Sequence, residues 1–161
     1  MPITVALCLL LTSFQASGAA AQDKPNFSGE WILVTPSEPP AGMARRLTVA
    51  HDAASIGITR MSDNGSKSES HKLDPSVTSG AVKGTSGRGE TLTKSDARWT
   101  GSSLELNDNN CQSRPDGIET CVERSEAWSL GKTGLLSIEV TTYGPGKRVS
   151  KATFIYRKPG Q

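Results

Sequence analysis

The chain has 161 residues, of which 35% are hydrophobic and only 5% aromatic, and 18 basic against 16 acidic residues leave a formal charge of +2. Both signs are interspersed and no basic block occurs, which excludes an electrostatic footprint for nucleic acid. The length suits one domain with a real but modest core.

Residues 1–21 read as a secretory signal peptide. Ile3 to Leu11 form a short apolar run, and Ala19-Ala20-Ala21 offer a cleavage site ahead of Gln22. No Lys or Arg precedes the apolar run, a departure from the usual pattern. The run is shorter than the roughly 20 residues a membrane span needs, and no later segment is apolar enough to replace it. The expected mature protein is therefore one domain, 22–161, secreted or periplasmic, with no membrane span after signal removal.

Beyond the signal the hydrophobic pattern has a period of two rather than the helical period, in short runs separated by Gly, Pro, Asn and Asp. Glu30 to Val34 is the first predicted strand, ended by the proline-rich "TPSEPPAG". Arg46 to His51 follows, with Leu47, Val49 and His51 on one face. Ile56, Ile58 and Arg60 mark the next strand, and Asn64-Gly65 signals a hairpin after it. From 62 to 96 aliphatic residues are sparse, so "SKSESHKL" and "SGAVKGTSG" read as edge-like strands or as loop. "ETLTKSDARW" restores alternation, with Thr91, Thr93, Ser95, Ala97 and Trp99 on one face. Leu104 and Leu106, then "CVERSEAWSL", then "LLSIEVTTY", then "RVSKATFIYRK" complete eight to ten short strands. The links are short enough for antiparallel neighbours. The predicted fold is all-β, an antiparallel up-and-down meander closing into a barrel of about eight strands, since closure removes exposed edges.

Removal of the signal takes Cys8 with it and leaves Cys111 and Cys121, separated by a segment containing Pro115-Asp116-Gly117. A turn there brings two strand ends together, and a disulfide is expected outside the cytoplasm. The competing reading is half of a metal site. His51 and His71 are the only further soft ligands in the mature chain and neither has ligand spacing, so no metal is expected.

Phe27-Ser28-Gly29-Glu30-Trp31 resembles the first-strand Gly-x-Trp motif of the lipocalins and their calycin relatives, which include fatty-acid-binding proteins, avidins and small bacterial protease inhibitors. The resemblance implies that Gly29 and Trp31 close one end of a lipocalin-like barrel, with a cation from the last strand packed across the indole. "FIYRKP" supplies Arg157 and Lys158 for that role. If Phe154 and Tyr156 face inward, Lys158 shares their face; if Ile155 does, Arg157 is the inward cation. The mature chain also resembles a group of secreted bacterial proteins of unknown role that open "FSGxWxLN" and later carry "W-[ST]-L-x-x-x-G". Trp128-Ser129-Leu130 and Gly134 match that second feature. The lipocalin Thr-Asp-Tyr motif is absent.

A catalytic constellation is missing from the sequence. There is no Gly-x-Ser-x-Gly, "GTSGRGET" lacks the Lys-Ser/Thr of a phosphate loop, and His51-Asp52 and His71 are the only candidate bases. Both histidines read more readily as surface or satisfied core residues. Glu30, Asp96, Glu119, Glu123, Glu126 and Glu139 read as a solvated face. The expectation is a non-enzymatic binding module without cofactor. Its barrel takes a small, partly apolar molecule against Trp99, Trp128, Tyr143 and Tyr156. The alternative is a calycin-type protease inhibitor or protein-interaction module, with "QDKPNF" reaching an extracytoplasmic protein partner.

Overall fold

The computed structural model describes residues 24–36, 43–73, 82–86, 89–114 and 116–161. The expected signal, most of the proline-rich loop after the first strand, and Pro115 of the expected turn lie outside the described residues.

Ten strands follow in chain order: β1 (Gly29–Thr35), β2 (Arg46–His51), β3 (Ser55–Ser62), β4 (Gly65–Lys72), β5 (Val82–Ser86), β6 (Gly89–Thr100), β7 (Ser103–Ser113), β8 (Glu119–Leu130), β9 (Leu136–Tyr143) and β10 (Val149–Arg157). They form one antiparallel sheet in the order β4-β3-β2-β1-β10-β9-β8-β7-β6-β5. Only the β1–β10 pairing joins strands distant in sequence; every other neighbour is sequential. Strand β4 packs against β6, so the sheet curls into a nearly closed, lipocalin-like barrel. The sequence expectation of an up-and-down meander holds, including strands at β4 and β5 where the pattern was weakest. The β3–β4 hairpin also forms, with Ser62 paired to Gly65. Its loop residues are Asp63 and Asn64, and Gly65 opens β4 at φ +118°, one place along from the Asn64-Gly65 signal.

Period-two alternation decides which side chains enter the barrel. Trp31, Leu47, Val49, Ile56, Ile58, Leu104, Leu106, Trp128, Leu136, Ile138, Phe154 and Tyr156 are all buried, and they form one core with Phe27. At the end where β1 begins, Trp31 is fully buried and donates from Nε1 to the Phe27 carbonyl at 2.8 Å. Phe154 and Tyr156 face inward, and this settles the parity of the last strand. Lys158 is the cation over Trp31, with Nζ 5.2 Å from the ring centroid. Gly29 sits beneath it at φ +124°, and a β-carbon there would meet the Lys158 chain at 3.7 Å. Arg157 instead turns to the chain terminus and donates to the Gln161 carbonyl.

The other end is asymmetric. Strands β6, β7 and β8 run 11 or 12 residues, and β8 meets β9 only from Glu123 onward. Residues 119–122 of β8, with the parts of β7 and β6 that pair with them in turn, therefore project beyond β9. Cys111 and Cys121 are direct cross-strand partners there, and they form the expected disulfide.

Two outcomes follow. Trp31→Ala removes the plug of the closed end and lowers unfolding free energy by about 3–5 kcal/mol, measured by urea denaturation. Replacing both cysteines by Ser lowers it by about 2–3 kcal/mol through the lost loop constraint. Amide exchange then quickens selectively around residues 109–123.

Candidate functional site

Halfway along the barrel the inward positions change character from aliphatic to charged. On β3 the inward series Ile56, Ile58 ends in Arg60; on β8 the series running back from Trp128 gives Glu126 and then Arg124. Arg60 and Glu126 meet across the interior, with Nη2 to Oε2 at 2.8 Å and only 9% and 4% of the two side chains exposed. Arg60 also donates from Nε to Glu69 of β4 at 2.7 Å. Glu126 accepts from Arg124 at 2.7 Å and from the indole N–H of Trp128 at 2.9 Å. Lys67 approaches the second oxygen of Glu69 at 3.5 Å.

Burial drives the Glu126 carboxyl upward, but the guanidinium groups of Arg60 and Arg124 and the hydrogen bonds they donate prevail. Its pKa lies below the ordinary value. Arg60 feels the same balance from the other side: burial opposes its charge, the carboxylates of Glu126 and Glu69 outweigh burial, and its pKa is raised. Below this cluster, burial pushes the Tyr156 phenol up to about 12, and its hydroxyl donates to the Ala44 carbonyl at 3.0 Å.

Above the cluster lies a half-open cleft of about 530 Å³, between β4 and the far halves of β6, β7 and β8. Lys67, Glu69 and His71 line it from β4, and Thr93 and Ser95 from β6. Asp108, Asn110 and Gln112 contribute from β7, and Thr120, Val122 and Arg124 from β8. The ion-paired residues form its floor, around a smaller space of about 70 Å³. His71 is 3% exposed, yet neither ring nitrogen has a hydrogen-bond partner among the described residues, and the same is true of Nη1 of Arg60. A buried polar atom without a partner is costly.

A second hollow of about 350 Å³ lies at the closed end, lined by Lys24, Pro25, Asn26, His51, Asp52, Leu73 and Trp99, among others. Phe27 stacks on Trp99 with centroids 6.0 Å apart, and Lys24 Nζ lies 5.4 Å from the Trp99 centroid. His51 Nδ1 accepts from the Phe27 amide at 3.2 Å. Burial lowers the His51 pKa despite the neighbouring Asp52.

The four aromatic residues expected to line one ligand site are not brought together. Trp128 and Tyr156 are fully buried in the core with their polar tips hydrogen-bonded. Trp99 borders the hollow at the closed end. Tyr143 is 42% exposed on the outer surface, beside Val149 and Cys121. Two further expectations need correction. Glu126 does not belong to a solvated face but is 3% exposed at the centre of an ion-pair network, and His71 is buried with no hydrogen-bond partner among the described residues. Strand parity carried a signal for these residues: Arg60 shares a face with Ile56 and Ile58, and Glu126 shares one with Trp128. A charge on an inward face requires a partner.

No protein-family model matches the chain, and a search of curated proteins finds no match.

Glu126 allows a direct test of the network. A carboxyl with a depressed folded pKa contributes stability that is fully present above its unfolded pKa and is lost as pH falls through the folded value. The wild-type protein therefore loses stability below about pH 4.5, and Glu126→Gln loses less over that acid range. At pH 7 the same substitution lowers unfolding free energy by about 3–5 kcal/mol, because Arg60 and Arg124 lose a buried counter-charge. Urea midpoints measured from pH 2 to pH 7 check both.

Proposed function

We propose that the protein is an extracytoplasmic, lipocalin-like binding module whose ligand is a small polar molecule held in the cleft between β4 and β6–β8. The observation that carries this reading is His71, a buried imidazole lining a cavity with both nitrogens unpartnered among the described residues. A ligand with hydrogen-bonding groups would relieve that cost. The cavity volume lies within the range of small-molecule sites. Its lining of hydroxyls, amides and charges favours a more polar ligand than the sequence alone suggested, with Val122 and the aliphatic stems of Lys67 and Arg124 providing the apolar contact. Export is supported by the signal-like residues 1–21 and by the disulfide. The lack of a nucleophile motif in the sequence speaks for binding rather than catalysis.

The alternative, action through the N-terminal segment on a protein partner, has less support. Lys24 to Ser28 are held on the barrel: Phe27 is fully buried, and Ser28 exchanges hydrogen bonds with the His51 backbone at 3.0 and 3.1 Å.

Thermal melting against amino acids, sugars, fatty acids and haem tests the reading. A polar compound is expected to bind saturably and raise the melting temperature, while Val122→Trp, which fills the cleft from a 39% exposed position, abolishes binding and leaves folding intact. Binding confined to fatty acids or haem, or undiminished in Val122→Trp, would overturn it.

A further inference from the structure

The charges around the cleft are unequally committed. Arg60 is engaged by Glu69 and Glu126, Arg124 by Glu126, and Lys67 by Glu69. Each of the three cations thus has a carboxylate partner. Asp108 is different. It lines both the cleft and its floor, but no hydrogen bond or ion pair reaches its carboxylate from any described residue.

The reason lies in the register. Asp108 on β7 is the direct cross-strand partner of Arg124 on β8, a placement that ordinarily pairs opposite charges. The Arg124 guanidinium nevertheless turns to Glu126 at 2.7 Å and to the Met43 sulfur at 2.7 Å. Glu126 is far more deeply buried than Asp108 and depends more on a counter-charge, so it wins the competition for Arg124. Asp108 is left as a carboxylate facing the cavity, on the same cleft as the unpartnered His71.

From this we infer that the ligand carries an ammonium group, with Asp108 as its counter-ion and a His71 ring nitrogen as a further polar contact. The inference rests on the cleft being the binding site. The ligand class is a small organic amine or amino acid, in which an N–H donor reaches a carboxylate to which no described residue donates. A purely anionic ligand fits less well: Arg60, Lys67 and Arg124 each already contact a carboxylate, whereas Asp108 meets no cation among the described residues.

Three fragments of equal length separate the possibilities: n-butylammonium, n-butanol and butyrate, each titrated to high millimolar concentration into the ¹⁵N-labelled mature protein. Butylammonium is expected to shift cleft amides on β4 and β7 saturably, with butanol and butyrate at least about tenfold weaker. Asp108→Asn should weaken butylammonium about tenfold, a loss of about 1.4 kcal/mol in binding. It should leave the melting temperature unchanged, because no described residue pairs with Asp108. If butyrate or butanol saturates the cleft as well as butylammonium, or if Asp108→Asn binds butylammonium as tightly as wild type, the charge assignment falls while the cleft remains the binding site. If no fragment moves a cleft amide, and the wider polar panel also leaves the cleft silent, the binding-site reading falls and this inference with it.

Discussion

The buried pair between Arg60 and Glu126 divides the interior of this barrel in two. The residues are 66 positions apart and meet at 2.8 Å with almost no exposure. Taking both charges out of water is expensive, and it is sustained only because each charge has more than one partner. Glu69 completes Arg60, while Arg124 and the Trp128 indole complete Glu126. On one side of the pair lies the core of aromatic and aliphatic side chains; on the other the barrel opens into a polar cleft.

The two ends of the molecule therefore serve different purposes. At the closed end Trp31 fills the barrel, hydrogen-bonds to the Phe27 carbonyl and is covered by Lys158. This end also fixes the segment from Lys24 to Ser28 through contacts with His51 and Trp99. At the open end the long strands β6, β7 and β8 outrun β9 and leave their inward faces partly uncovered. The cross-link between Cys111 and Cys121 holds β7 and β8 in register where they extend beyond the pairing with β9. A rigid wall of this kind can present side chains to a ligand without a large ordering cost.

Competition for counter-charges then determines which groups are left facing the cleft. The deepest carboxylate takes the nearest guanidinium, and a shallower one across the strand is left with no partner among the described residues. Neither charge count nor exposure identifies Asp108 as distinctive. What does is that Arg124, its partner in the register, is held elsewhere by the demands of Glu126.

Alternation of apolar residues along the chain was enough to determine the all-β meander, because a period of two fixes which face of each strand is buried whatever surrounds it. Cys111 and Cys121 were likewise enough to indicate their pairing once Cys8 was assigned to the expected signal. The Gly29-Glu30-Trp31 stretch pointed to the closed end but left Arg157 and Lys158 as rivals, since the inward parity of β10 depends on packing against β1 and β9. Polar strands such as β4 were hardly legible: their inward positions Glu69 and His71 look like any solvated surface until the barrel closes over them. The aromatic residues misled for a related reason. Large rings are as useful for filling a core as for gripping a ligand, and only closure showed Trp128 and Tyr156 to be filling. The cleft itself is a product of tertiary structure, because it brings together β4 and β6–β8, whose curvature and differing lengths decide which inward faces meet and which stay open.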